Sequence, residues 1–241
     1  MNFGEGNDPL RSGEQRVLEL IAQRVGIEPV IFDVGANKGI YTRELLSVFH
    51  DAADIWAFEP SPSCFRALEA DLGGIPNVHL RNMGFSDREA TAKLLSPGEG
   101  SKLGSLYDTS ARLARFGMSV VLEEPITLTT LDHFCSSEGI DRIEFLKLDV
   151  EGHELSVLKG ASALLDTKRI GAIQFEFAAA NIESRTFFRD FFLLLSEHYD
   201  LYRVLQDGLY RIDRYKEAYE VFKRATNYLA LLKDSVEPAS G

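Results

Sequence analysis

The chain has 241 residues, with 26 lysines and arginines against 37 aspartates and glutamates, and a formal net charge of −11. A 45% hydrophobic content is that of a folded globular protein and excludes a disordered chain. The acidic balance, with no run of clustered lysine and arginine, speaks against a dedicated nucleic-acid binder, whose phosphate contacts need such clusters.

Residues 1–12 read as a flexible leader rich in Gly, Asn and Asp, and residues 236–241 as a tail. The opening MNFGEGNDPLRSGEQ has no basic segment followed by an apolar one, so no signal peptide is expected. From Gly13 to Val25, Val17, Leu18, Ile21 and Val25 make a helical stripe. Pro29-Val-Ile-Phe-Asp-Val then reads as a buried parallel strand, and Ile40 to Phe49 as a helix. A second strand, Asp54 to Phe58, stops at Glu59-Pro60-Ser61-Pro62. A helix from Ser63 to Leu72 and a strand from Asn77 to Leu80 follow. This alternation predicts an α/β fold with a doubly wound sheet.

The middle is less regular. Residues 91–95 and 119–128 read as strands, separated by the polar, Gly-rich stretch Ser96 to Gly104. The segment 96–118, with Tyr107, Arg112, Arg115 and Phe116, is expected to be a mobile loop bordering a ligand pocket. Regularity returns with a strand at Ile143 to Asp149, a helix at Gly152 to Leu165, a strand at Ile170 to Phe177 and a helix at Ser184 to His198. Leu201 to Leu205, Leu209 to Ile212 and Tyr228 to Leu232 close the chain as short strands, the first two joined at Gln206-Asp-Gly208. No linker composition or internal repeat interrupts the sequence, so residues 13–235 are expected to form one domain. The apolar cluster from Phe187 to Leu195 is broken by Arg189 and Asp190 and is far shorter than the roughly 18 residues of a membrane span. Cys64 and Cys135 are far apart in sequence, as free thiols in a reducing compartment would be. A cytoplasmic setting is the expectation; oligomeric state is left open.

The most informative segment is Asp33-Val-Gly35-Ala-Asn37-Lys-Gly39, where a strand ends, the chain turns on glycines and a helix begins. A dinucleotide fingerprint fails because Asn37 and Ile40 occupy its second and third glycine positions, and a P-loop fails because no G-K-[ST] follows. Glu59 ends the next strand, where an acid in this topology takes ribose hydroxyls. An acid at the first loop as well suits a ligand carrying an amine or a sulfonium. Asp149, Glu151, His153 and Glu154 lie at the carboxyl end of a further strand, and Glu176 at the end of the one after it. Open α/β sheets place chemistry at those ends.

Seven segments then occur in register: Phe32 to Thr42, Phe58-Glu-Pro-Ser-Pro62, Gly84-Phe-Ser-Asp87, Thr130-Leu-Asp132, Phe145 to Glu154, Gln174-Phe-Glu-Phe177 and Asn227-Tyr-Leu-Ala230. D-x-G-x-x-x-G followed by the acid resembles class I S-adenosylmethionine-dependent methyltransferases, and the full set, over roughly residues 28–232, resembles their FkbM family. The resemblance implies S-adenosylmethionine as cofactor and O-methylation of a hydroxyl on a sugar or other small molecule. It places Gly35, Ala36, Asn37, Gly39 and Tyr41 beneath the cofactor's methionine part, Asp33 facing its amino group, and Glu59 with Pro60 at the ribose. Ser86 and Asp87, with Asn82 less firmly, would meet the adenine, and Asp149 would serve the cofactor and the chemistry alike. The base that takes the acceptor's proton is to be sought among Asp149, Glu151, His153 and Glu176. Asp149 and Glu176 are also candidates for a divalent cation, and the sequence leaves metal dependence open. A nucleic-acid or protein methyltransferase, or a non-catalytic cofactor-binding protein of this fold, is the alternative.

Overall fold

The computed structural model describes residues 13–221 and 225–233. The expected leader and tail lie outside them. Strand β1 (Val30–Val34) is buried from Ile31 to Val34 without any polar alternation, as a strand covered on both faces must be. Phe32 joins Trp56, Phe58 and Phe134 in the apolar cluster on one face. Ile31 joins Leu18, Leu45 and Ile55 in the cluster on the other.

In chain order, α1 (Glu14–Arg24) and β1 are followed by α2 (Ile40–Phe49), β2 (Asp54–Phe58), α3 (Pro62–Leu72) and β3 (Val78–Arg81). Next come β4 (Gly84–Phe85), β5 (Ala90–Ser96), α4 (Ser110–Ala114), β6 (Leu122–Thr129) and α5 (Leu131–Glu138). The third group is β7 (Ile143–Leu148), α6 (Glu154–Lys159), α7 (Ser162–Asp166), β8 (Ile170–Ala178), α8 (Ala180–Glu183) and α9 (Phe188–Leu195). Strands β9 (Tyr199–Leu205), β10 (Gly208–Ile212) and β11 (Ala225–Leu232) complete the described chain.

The main sheet has the order β10-β9-β11-β8-β7-β1-β2-β3. Strands β8, β7, β1, β2 and β3 run parallel. β11 inserts antiparallel between β8 and β9, and β9 and β10 form a hairpin around Gln206 and Asp207. This is the expected mostly parallel α/β sheet with antiparallel C-terminal strands. Because β1 has β2 on one side and β7 on the other, the winding reverses there, and a crevice opens at the carboxyl ends of these strands. A second sheet, β4-β6-β5, stands beside it.

Two helices differ from the sequence reading, both through contacts remote in sequence. The helix expected over Gly152 to Leu165 breaks at Gly160, whose carbonyl accepts from Asp132 N at 3.0 Å. The Asp132 carboxylate then caps α7, accepting from Ala163 N at 2.8 Å and Leu164 N at 3.0 Å. The helix expected from Ser184 begins only at Phe188, where the Glu220 carboxylate accepts from Phe188 N at 2.7 Å and Arg189 N at 3.0 Å. Among the described residues no helix is long and apolar enough to cross a membrane.

Candidate active site

The loop after β1 is pinned to the end of β2: Gly35 N and Ala36 N both donate to Phe58 O, at 3.0 and 2.9 Å. One residue on, Asn37 N donates to Glu59 Oε2, and Ser61 N donates to Glu59 Oε1, each at 2.8 Å. Asn82 Nδ2 holds the same strip from outside by donating to Glu59 O at 2.8 Å. Glu59 is thus fixed by both oxygens at the rim of a cavity of about 280 Å³ that fills the crevice. Burial pushes its carboxyl up to about 7, against the opposing pull of the Ser61 and Asn37 amides.

Gly35, Ala36, Asn37, Tyr41, Glu59, Pro60, Asp149, Glu151, His153 and Glu176 all line this cavity. Asp33, Gly39, Ser86 and Asp87 do not. Asp33, expected to face a ligand's amino group directly or through water, is fully buried behind the cavity lining, and its Oδ2 accepts from Thr42 Oγ1 at 2.7 Å. Gly39 starts α2 with its back to Leu68 and Leu72. Ser86 Oγ is spent on His153 Nε2 at 2.9 Å, one wall behind the cavity.

The sharp turn after β7 puts three candidate groups into very different settings. Glu151 adopts a left-handed backbone, φ 50°, and its Oε2 takes both terminal nitrogens of Arg112 at 3.0 Å. Burial raises its carboxyl to about 7 while Arg112 opposes the rise. His153 is engaged at both ring nitrogens, by Ser86 and by Tyr107 Oη at 2.8 Å. Burial lowers it to about 4, which makes it a poor base near neutrality. Glu154 is buried and accepts from Val150 N at 3.0 Å and Gly152 N at 3.2 Å, closing the turn. Asn181 is likewise a scaffold residue, its Oδ1 accepting from Ala178 N at 2.8 Å. Glu176 is raised far above the usual carboxylate range, first by desolvation and then by the charges of Asp149, Glu151 and Glu154.

Three contributions escaped the sequence reading. Lys147, buried in β7, reaches Asp149 Oδ2 at 3.2 Å. A lysine inside an apolar central strand requires a carboxylate partner, and that rule was the available signal. Glu14 enters the cavity from α1, where only the apolar stripe had been informative. The small sheet supplies an apolar wall of Phe85, Leu94, Ile126 and Leu128. The segment 96–118 is anchored at Leu95 and Ser105, contains α4, and lays Ser101, Lys102, Gly104 and Leu106 along the cavity. Among the described residues no three His, Cys, Asp or Glu side chains come together to hold a metal ion. Asp149, named as a metal candidate, has the Lys147 ammonium 3.2 Å from its Oδ2.

Residues 33–212 match the model of the methyltransferase FkbM domain. The 2-O-methyltransferase NoeI of Sinorhizobium fredii is 29% identical over 59% of this chain and 61% of its own length. The hexuronic acid methyltransferase AglP of Haloferax volcanii is 28% identical over 64% of this chain and 59% of its own. The chain therefore spans about three fifths of the length of these relatives. Among solved structures, the METTL16 methyltransferase domain superposes with a TM-score of 0.50 at 10% identity, covering 93% of this chain and 68% of that one. A protein of Clostridium thermocellum reaches the same TM-score at 10% identity, covering 92% and 97%. These two likenesses concern the fold alone.

Proposed function

The chain belongs to the FkbM methyltransferase domain family, and from that premise we propose that residues 13–235 act as one domain that binds S-adenosylmethionine in the crevice and methylates a hydroxyl of a small molecule, a sugar foremost. The observation that carries this reading is the donor set of the cavity. Glu14, Glu44, Glu59, Asp149 and Glu176 surround it with carboxylates, which suit a ligand bearing an ammonium and a sulfonium. Glu59, locked by two backbone amides, would accept from a ribose diol, and the apolar wall of Phe85, Ile126 and Leu128 suits a purine. Asp149 is tied to the start of the first loop through backbone: its N–H donates to Val34 O at 3.0 Å. S-adenosylmethionine, when bound, supplies an electrophilic methyl group. The protein's part is alignment of the acceptor and removal of its proton.

Of the four candidate bases, His153 is too weakly basic and fully engaged, and Glu151 is clamped by Arg112. Asp149 is held by Lys147. Glu176 is the group we assign to accept the acceptor's hydroxyl proton at a carboxylate oxygen; burial and the nearby acids oppose its ionised form, so the role requires it to enter the step deprotonated, which rising pH favours. The names of the relatives, a 2-O-methyltransferase and a hexuronic acid methyltransferase, favour an oxygen acceptor on a carbohydrate. The net charge of −11 argues against nucleic acid in that role. The test is calorimetric titration with S-adenosylmethionine, followed by methyl transfer to a panel of sugars and uronic acids analysed by mass. Absence of binding at high micromolar cofactor overturns the reading; binding with transfer only to RNA or protein overturns the acceptor class.

Cofactor affinity is expected to rise as pH increases through about 7. Glu59 sits near 7 in the free protein, and a diol that donates to it favours its ionised form. Below that pH a proton must leave on binding, and affinity falls by up to about tenfold per unit. Folding stability runs the opposite way: with its value raised from 4.5, Glu59 contributes stability that is fully present below about 4.5 and is lost as pH rises through about 7. Titrations at pH 6, 7 and 8 in buffers of different ionisation enthalpy measure the released proton. In Glu59→Gln the pH slope should flatten; an unchanged slope would assign the proton to another group.

A further inference from the structure

Buried lysines are rare, and Lys147 is 5% exposed in the middle of the main sheet. Register places Asp33 of β1 on one side of it and Gln174 of β8 on the other. Its Nζ lies 3.2 Å from Asp149 Oδ2, 3.8 Å from Asp33 Oδ1 and 4.5 Å from the centre of the Tyr41 ring. Asp33 Oδ1 is buried without a hydrogen bond, although Oδ2 of the same carboxylate is bonded to Thr42. The ammonium therefore stands between two acids of unlike situation. Asp33 is sealed in the sheet, whereas the side chain of Asp149 is 42% exposed at the cavity. Burial pushes Lys147 down, but Asp149 and then Asp33 more than offset it and hold the ammonium above the usual lysine range.

Neutralising Asp33 alone would not require Nζ to reach past it. Lys147 makes its short contact with the other acid, the one that the cavity exposes, and the face of Tyr41 closes the remaining side. We propose that Lys147 is a positioning residue for cofactor binding, aiming the Asp149 carboxylate into the cavity while it serves as counter-ion to Asp33. This rests on the S-adenosylmethionine reading of the same cavity, which Lys147 also lines, and adds to it a residue that acts through Asp149. The two roles are separable. Removing the cation strands a buried Asp33, which is a matter of stability. Removing it also frees Asp149 to turn to solvent, which is a matter of affinity.

The experiment measures Tm and the calorimetric Kd for S-adenosylmethionine in Lys147→Met and in the double variant Asp33→Asn/Lys147→Met. Lys147→Met is expected to lower Tm and to weaken Kd on the order of tenfold, the loss of one charge-assisted contact. The double variant should recover Tm yet keep the weakened Kd. Recovery of both together would overturn the proposal and leave Lys147 as the counter-ion of Asp33 alone. Should removal of the cation prevent folding in both, Lys147→Arg keeps the charge but changes its reach. It should weaken Kd in the wild-type background and add nothing in Asp149→Asn, whereas additive effects would overturn the proposal. Wild-type protein that fails to bind the cofactor defeats the functional reading instead; wild-type binding with unchanged Kd in every variant defeats only the role of Lys147.

Discussion

Asp149→Ala is expected to abolish measurable turnover, and Glu176→Gln to lower kcat by about a hundredfold or more while Kd for S-adenosylmethionine stays near wild type. The two acids share the rim of one cavity but differ in surroundings. Asp149 carries an ammonium at 3.2 Å and has its backbone N–H tied to the end of β1, so its carboxylate is directed from two sides. Its loss removes the group assigned to the cofactor's cationic end and releases Lys147 from its partner. Glu176 is set apart by desolvation and the neighbouring acids, which favour its protonated form, so the base role falls on its ionised fraction. Glutamine keeps its shape and removes the proton site. Steady-state rates and calorimetry on the two variants separate the assignments. A Glu176→Gln enzyme with full kcat would return the base role to Asp149 or to an acceptor-bound water. A loss of cofactor affinity in Glu176→Gln equal to that in Asp149→Ala would merge the two roles.

How much of this was legible beforehand depended on how far in sequence a group stood from its partners. The first loop and Glu59 were readable because strand end, glycine and helix start are contiguous, and Glu59 falls at the end of the very next strand. His153 looked like a base from its motif; the ring is disqualified by Tyr107 and Ser86, which reach it from 46 and 67 residues away. Asp33 illustrates the same limit from the other direction. Its position at a strand end suggested a ligand, but side chains alternate across a strand, and here the alternation turns it toward Lys147 and Thr42. The caps supplied by Asp132 and Glu220 moved helix boundaries for the same reason, since a carboxylate arriving from elsewhere satisfies amide groups that local propensity cannot.

Gly35→Ala is expected to cost about 3 kcal/mol or more and to eliminate cofactor binding together with it. Gly35 has φ of +88°, and a Cβ there would stand 1.9 Å from Asp149 O and 2.8 Å from its carbonyl carbon. Neither side can yield easily. Gly35 N is bonded to Phe58 O and Asp149 N to Val34 O, each at 3.0 Å, so the obstructing atoms belong to backbone fixed in the central sheet. Gly39 offers the contrast: its added Cβ would meet only the ends of Leu72 and Leu68, at 2.7 and 2.9 Å, which are side chains that can shift. Gly39→Ala should therefore be milder, limited mainly by its positive φ. Gly74→Ala, with nothing within 4 Å, is the control and should leave Tm unchanged. For Gly35→Ala the expected fall in Tm is roughly 6–12 °C. A Gly35→Ala protein with wild-type Tm and Kd would show that the strand ends can part at no cost. In that case the close apposition of the first loop and Asp149 would not be a requirement of the site.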